Sequence, residues 1–145
     1  MSEPNNELRR KHLSELQMAD SPLGSYCTNL PGEGRALLKS ITKVRATSDF
    51  TADDIPAEGF ATTYYYAHPV EMEVGDTGEM GRQTRVILID SDLATVSFVS
   101  QGVVSSMDLI LTHLGQGPWT TPVMMALRKK KTGKGRQVYS LEVLD

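Results

Sequence analysis

After Phe60 the chain is written in strand-like runs of β-branched and aromatic residues divided by Gly and Asp clusters, and one segment breaks the pattern. Val103, Met107, Ile110, Leu111 and Leu114 recur at helical spacing, and Gly115 follows where such a helix needs its C-terminal cap. Whatever the strands build must accommodate one helix in their midst. Ahead of that helix three strands are expected. The first runs from Phe60 to Glu73, with Pro69 marking a bulge or an edge, because proline cannot donate to a ladder. Gly75-Asp76-Thr77-Gly78 supplies the turn into the second, Thr84 to Asp90, whose run Val86-Ile87-Leu88-Ile89 reads as buried on both faces. The third, Ala94 to Ser100, carries Val96 and Phe98 on one face. Beyond the helix, Gly115-Gln116-Gly117-Pro118 forms a turn before Trp119. Two further strands, Val123 to Lys130 and Arg136 to Leu144, flank Thr132-Gly133-Lys134-Gly135, whose glycines suit a tight hairpin.

Strand, strand, strand, helix, strand, strand is the order of a five-stranded OB-type barrel in which the helix between strands three and four plugs one end. The expected class is therefore mainly β. Residues 1–34 read as a partly irregular N-terminal arm, interrupted by three prolines and three glycines, in which only Glu7 to Met18 has helical spacing. Residues 35–145 read as the domain proper. It opens with an amphipathic helix, Arg35 to Arg45, with Leu37, Leu38, Ile41 and Val44 along one stripe and Arg35, Lys39 and Lys43 on another face.

At 145 residues the chain can bury about 68–70% of its extended surface in one core, without disulfides or a structural metal. The lone Cys27 can form neither an internal bridge nor a zinc cage, which points to a cytosol-like compartment. No apolar run approaches the roughly 20 residues that span a bilayer, and Met1-Ser2-Glu3-Pro4 lacks the basic and apolar parts of a signal peptide, so a cytoplasmic protein without a membrane partner is expected. The formal net charge of −3 conceals strong segregation. Eight acids and no Lys or Arg lie between Ala46 and Gly81. Arg128, Lys129, Lys130, Lys131, Lys134 and Arg136 then fall within nine residues. A positive surface on an otherwise acidic protein is the footprint of an anion-binding face.

Catalysis has little to use. His12, His68 and His113 show no metal-ligand spacing, Cys27 lacks a nucleophile signature, and the glycines of Gly75 to Gly81 lie between strands rather than opening a helix. No enzyme, metal or cofactor is expected. Binding has more to use. Alternation places Val123, Met125 and Leu127 on one face of the fourth strand, and Tyr139, Leu141 and Val143 on one face of the fifth. With those faces turned to the core, Arg128, Lys130 and Arg136 project together, and Lys131 and Lys134 sit at the tip. A positive groove beside aromatic platforms holds single strands without regard to sequence. Of Tyr64, Tyr65 and Tyr66, alternation sends at least one outward. Phe98 and Tyr139 belong to core faces. Trp119 is either a barrel-end plug or an exposed stacking residue.

From about Arg35 to Asp145 the chain resembles bacteriophage single-stranded DNA-binding proteins of the OB type. The resemblance lies in Ala67-His68-Pro69-Val70-Glu71, in Arg85-Val86-Ile87-Leu88-Ile89-Asp90, in Val99-Ser100-Gln101-Gly102-Val103 with Ser105-Ser106, in Leu114-Gly115-Gln116-Gly117-Pro118-Trp119 and in the basic run Lys129 to Arg136. It implies a non-enzymatic protein that coats single strands during phage DNA replication or recombination in the host cytoplasm, with replication proteins as possible partners. Bacterial-type members end in an acidic partner-recruiting tail, whereas this chain stops on its last strand at Leu144-Asp145. The expected site is Arg128, Lys130, Lys131, Lys134, Arg136, Trp119, Tyr64, Tyr65 and Tyr66. The alternative is an OB-type protein-interaction or assembly module, contacted through the acidic segment and the arm.

Overall fold

The computed structural model describes residues 26–47, 49, 54–74, 78–117, 119–131, 133 and 137–144. The helix expected over Glu7 to Met18 and the turn residues Gly75, Thr132, Lys134 and Arg136 lie outside them. Chain order gives β1 (Cys27–Thr28), α1 (Gly34–Ala46), β2 (Phe60–Thr62), β3 (Tyr64–Val74), β4 (Glu79–Ile89), β5 (Thr95–Val99), α2 (Gln101–Leu114), β6 (Val123–Lys131) and β7 (Gln137–Val143). They form two antiparallel sheets, ordered β1-β3-β4-β5 and β2-β6-β7.

The single strand expected from Phe60 to Glu73 is thus two strands in two sheets. Before Thr63 the chain pairs with β6, from Phe60 opposite Met125 to Thr62 opposite Val123. After it the chain pairs with β4, starting with Tyr64 opposite Ile89, while the Thr63 N–H donates to the Ile89 carbonyl at 2.9 Å. Pro69 causes no bulge, since β3 stays in register with β4 through Pro69 opposite Thr84. Among the described residues β1 pairs with β3 at Tyr66 and Ala67 and does not reach Pro69, so its missing N–H removes no ladder bond to a described residue there.

The expected mainly β class is found, as two antiparallel sheets that do not close into one barrel among the described residues. Among the described residues β5 and β7 do not pair, and α2 lies along β7 instead. A Cβ at Gly102 would stand 1.9 Å from the Tyr139 carbonyl oxygen, so helix and strand backbones meet where a side chain cannot fit. One turn later Ser106 Oγ accepts the Leu141 N–H at 3.1 Å and donates to the Gly102 carbonyl at 2.9 Å. A helix hydroxyl thereby satisfies an edge donor of β7 that a neighbouring strand would otherwise take. The helix ends follow the sequence: the Ser100 hydroxyl accepts the Val103 N–H at 3.4 Å, and Gly115, at φ 77°, donates its N–H to Leu111 at 2.9 Å.

Two apolar layers result. Tyr65, Val86, Leu88, Val96, Phe98, Val103, Met107, Met125 and Leu141 belong to the main core between the sheets and α2. On the outer face of the larger sheet, Tyr66, Ile87 and Ile89 pack with Leu37 and Val44 of α1 and with Tyr26 and Leu30. Val86 to Ile89 are all fully buried because alternate residues serve the two layers. Leu38, expected in the apolar stripe of α1, points to solvent at 63% exposure. The last residues of the expected arm are built into the sheet. Cys27 and Leu30 are buried, the Thr28 hydroxyl donates to the Tyr65 carbonyl, and Asn29 Oδ1 accepts the Tyr65 N–H at 2.8 Å. A cut at Arg35 would therefore strip a strand and part of the outer layer.

The Gly102 contact is testable. Gly102→Ala must displace α2 from β7, and urea unfolding should show a loss of about 1–3 kcal/mol or more. An unchanged unfolding midpoint and slope would mean that α2 does not rest on β7 in solution.

Candidate functional site

The alternation expected of β6 and β7 is present. Val123, Met125 and Leu141 are buried, and Leu127, Tyr139 and Val143 are partly buried against the same core. Yet β6 outruns the core it covers, so Arg128, Lys129, Lys130 and Lys131 are all exposed, whichever face their position assigns them. Arg128 forms an ion pair and hydrogen bond with Glu142, the diagonal neighbour across β7, since Ser140 is its direct partner. The basic strip is thus partly neutralised at its inner end and open at Lys130 and Lys131. Lys134 and Arg136 belong to the expected site but lie outside the described residues.

The aromatic half of the expected site is placed differently. Tyr65 is fully buried in the main core, Tyr66 is buried beneath the α1 layer, and Tyr64 is half-buried against that layer. Tyr65 and Tyr66 turn no open face outward, and Tyr64 alone of the three keeps part of its surface exposed. Trp119 packs partly buried against the main core with its ring 6.0 Å from that of Tyr65, and its indole N–H is buried without a hydrogen-bond partner among the described residues. Of its two expected roles this geometry is that of the plug. The structure does not bring these four rings together with the basic strip into one groove.

It assembles instead a cluster that the sequence reading passed over. Tyr66 and His68 of β3, Arg85 of β4 and Val99 of β5 share the outer face, with Arg85 directly between His68 and Val99. The last turn of α1 brings Arg45 to the same place. Arg85 Nη1 donates to the Arg45 carbonyl at 3.2 Å, Arg85 Nη2 donates to Ser97 Oγ at 3.0 Å, and the Arg45 charge acts on the Tyr66 phenol. Tyr26 stacks on Tyr66 at 5.8 Å, and the His68 ring lies 5.5 Å from Tyr66 on centroids. His68 is buried, and burial, then the charges of Arg45 and Arg85, push its pKa down to about 4. Burial pushes the Tyr66 phenol up to about 12, against the opposing pull of Arg45. Arg85 is lowered by burial and by Arg45. Ion pairs form at Arg82 with Glu71, 3.6 Å apart, and at Arg128 with Glu142; neither Arg45 nor Arg85 has such a partner among the described residues. The signal available in the sequence was period two: Arg85 belongs to the face of the buried Ile87 and Ile89, and a cation there needs a reason.

A small cleft of about 180 Å³ between residues 54–61 and Asp90 includes the carboxylates Asp54 and Asp90 and no cation, which does not suit an anionic ligand. Among the described residues no three His, Cys, Asp or Glu side chains gather as a metal site, and no helix is long and apolar enough to cross a membrane. Compared with family models, with curated proteins and with solved structures, the chain matches none.

The buried His68 has a pH signature. Its pKa falls from about 6.5 in the unfolded chain to about 4 in the folded one, so the unfolded state binds the proton more readily. The stabilising effect is complete above about pH 6.5 and declines as pH falls towards 4, by up to about 3 kcal/mol. Urea unfolding at pH 7.5 and 4.5 should show a larger acid loss for the natural chain than for His68→Gln. An NMR titration of His68 with a midpoint near 6.5 would contradict the burial described.

Proposed function

We propose that this chain is a non-enzymatic, sequence-tolerant single-stranded DNA-binding protein acting in phage DNA replication or recombination in the host cytoplasm, and that its fold is of the OB type. In this reading β2 and β3 together make the first of five strands, followed by β4, β5, β6 and β7. Their pairings, and α2 between the third and fourth, support it, and OB barrels are themselves partly open. The observation that carries the function is the exposed run Arg128 to Lys131 on one strand, of which Arg128 is paired with Glu142. Phosphates attract such a strip and carry no base information, so affinity without sequence preference follows. Replication proteins are its natural partners in that role.

A second reading, an OB-type protein-interaction or assembly module, is favoured by two leucines on α2, Leu109 and Leu114, which are 60% and 48% exposed. Salt separates the two. Binding to an unstructured oligonucleotide should weaken steeply with salt, and Lys130→Ala should flatten the log–log slope by about 0.7 for one lost contact. The loss should be alike for different base sequences, and stability should change by less than about 0.5 kcal/mol. Unaltered affinity and slope in Lys130→Ala and Lys131→Ala, with loss of a protein partner in the same variants, would assign the hairpin to docking.

A further inference from the structure

The geometry points to a phosphodiester-binding site on the outer face of the larger sheet, in which Arg45 and Arg85 together hold one backbone phosphate of the bound strand. The assignment of the phosphate to a nucleic acid rests on the reading above; the site itself rests on four separate observations.

The first is preorganisation. Two donors of Arg85 are already committed, to the Arg45 carbonyl at 3.2 Å and to Ser97 Oγ at 3.0 Å, so the guanidinium plane is fixed before any ligand arrives. A planar fork held in this way loses little freedom when it engages an oxyanion, and its remaining N–H groups match the oxygens of a phosphate. The second is uncompensated charge. The contact with Arg85 ties the two arginine residues together, each disfavours the charge of its surroundings, and no carboxylate among the described residues forms an ion pair with either. The charge on Arg85, half-buried and beside Arg45, is costly until an anion offsets it. The third is the neutrality of the remaining walls. His68 is uncharged, 5% exposed, and its Nε2 is buried without a hydrogen-bond partner among the described residues, while Tyr66 is a buried, un-ionised phenol. Neither of these two side chains repels a negative group. The fourth is access. Val99, the cross-strand neighbour of Arg85, is 43% exposed, and Arg45 itself is exposed, so no described residue closes the face beyond the end of α1.

Arg45 and Arg85 are the binding residues; Ser97 is a positioning residue that holds the Arg85 guanidinium. The arrangement suits an internal phosphodiester, whose single charge and two free oxygens need one fork and one further donor. It adds a contact point that does not depend on the β6 and β7 hairpin.

The test uses the full chain and an end-labelled oligothymidylate, followed by fluorescence anisotropy at several salt concentrations. Arg85→Gln and Arg45→Gln should each weaken binding by about tenfold and flatten the log–log salt slope by about 0.7. Arg85→Lys should restore the slope while leaving much of the affinity lost, because lysine keeps the charge and not the fork. Thermal unfolding monitors folding, and if Arg85→Gln fails to fold, Arg45→Gln decides, since its side chain lies at the exposed end of a helix. Millimolar inorganic phosphate should shift the His68 and Arg85 NMR signals in the natural chain and not in Arg45→Gln. If both glutamine variants bind with unaltered affinity and slope while Lys130→Ala is weakened, this site is refuted and the single-strand reading stands. If the natural chain binds no oligonucleotide, both fall. If phosphate shifts the signals but the slope is insensitive to Arg45 and Arg85, the cluster is a small-anion site and the phosphodiester assignment is overturned.

Discussion

One missing methyl group sets the arrangement of everything after residue 100. Because position 102 is glycine, α2 can lie against the main chain of β7, and Ser106 is then in place to accept the Leu141 N–H. Two consequences follow from that contact. Val103, Met107 and Leu111 are driven into the space between the sheets, completing the main core. The otherwise unpaired edge of β7 is occupied at its centre, so the hairpin is anchored at one end and its cationic end, Arg128 to Lys131, extends past the core into solvent. The opening between β5 and β7 is the cost of this solution, and the helix itself fills it.

The parts of the fold that were legible in the sequence are those where local pattern and tertiary environment agree. Val86 to Ile89 announced a strand covered on both sides, α2 announced itself by spacing and by Gly115, and the inward set Val123, Met125 and Leu141 followed from alternation. What escaped was decided by distant partners. Nothing at Thr63 marks a handover between sheets, because the break exists only where β6 takes up Phe60 to Thr62 and β4 takes up the rest. A two-residue strand at Cys27 has no period to read. The tyrosines were misplaced because alternation says which residues share a face, not whether that face is wet, and α1 covers the face that would have been open. Arg45 and Arg85 are 40 positions apart in the chain, so only folding makes them neighbours.

The outer face of the larger sheet is divided between two chemistries along single strands. On β4, Ile89 and Ile87 lie under α1, and two residues earlier Arg85 stands where the helix has ended. On β3 the same step leads from Tyr66 to His68, the histidine being kept neutral beside two guanidinium groups. α1 therefore acts as a cover of fixed length. Its apolar positions Leu37 and Val44 fix where the dry zone stops, and its last turn delivers Arg45 to the border. The net charge of −3 gives no hint of this, since the acids that dominate the balance are concentrated in a different stretch of sequence.

The burial of Cys27 gives the protein an internal clock for one of its own motions. Its thiol, in the two-residue strand β1, is fully buried, and β1 is paired with β3. A reagent that attacks thiolates must wait for that short edge strand to lift away. With no other cysteine in the chain, the rate of thiol labelling is a direct reading of how often β1 detaches, free of competing signals. Since the residues beside it, Thr28 and Asn29, hold the main chain of Tyr65, that rate also reports how tightly the outer layer is fastened to the inner one.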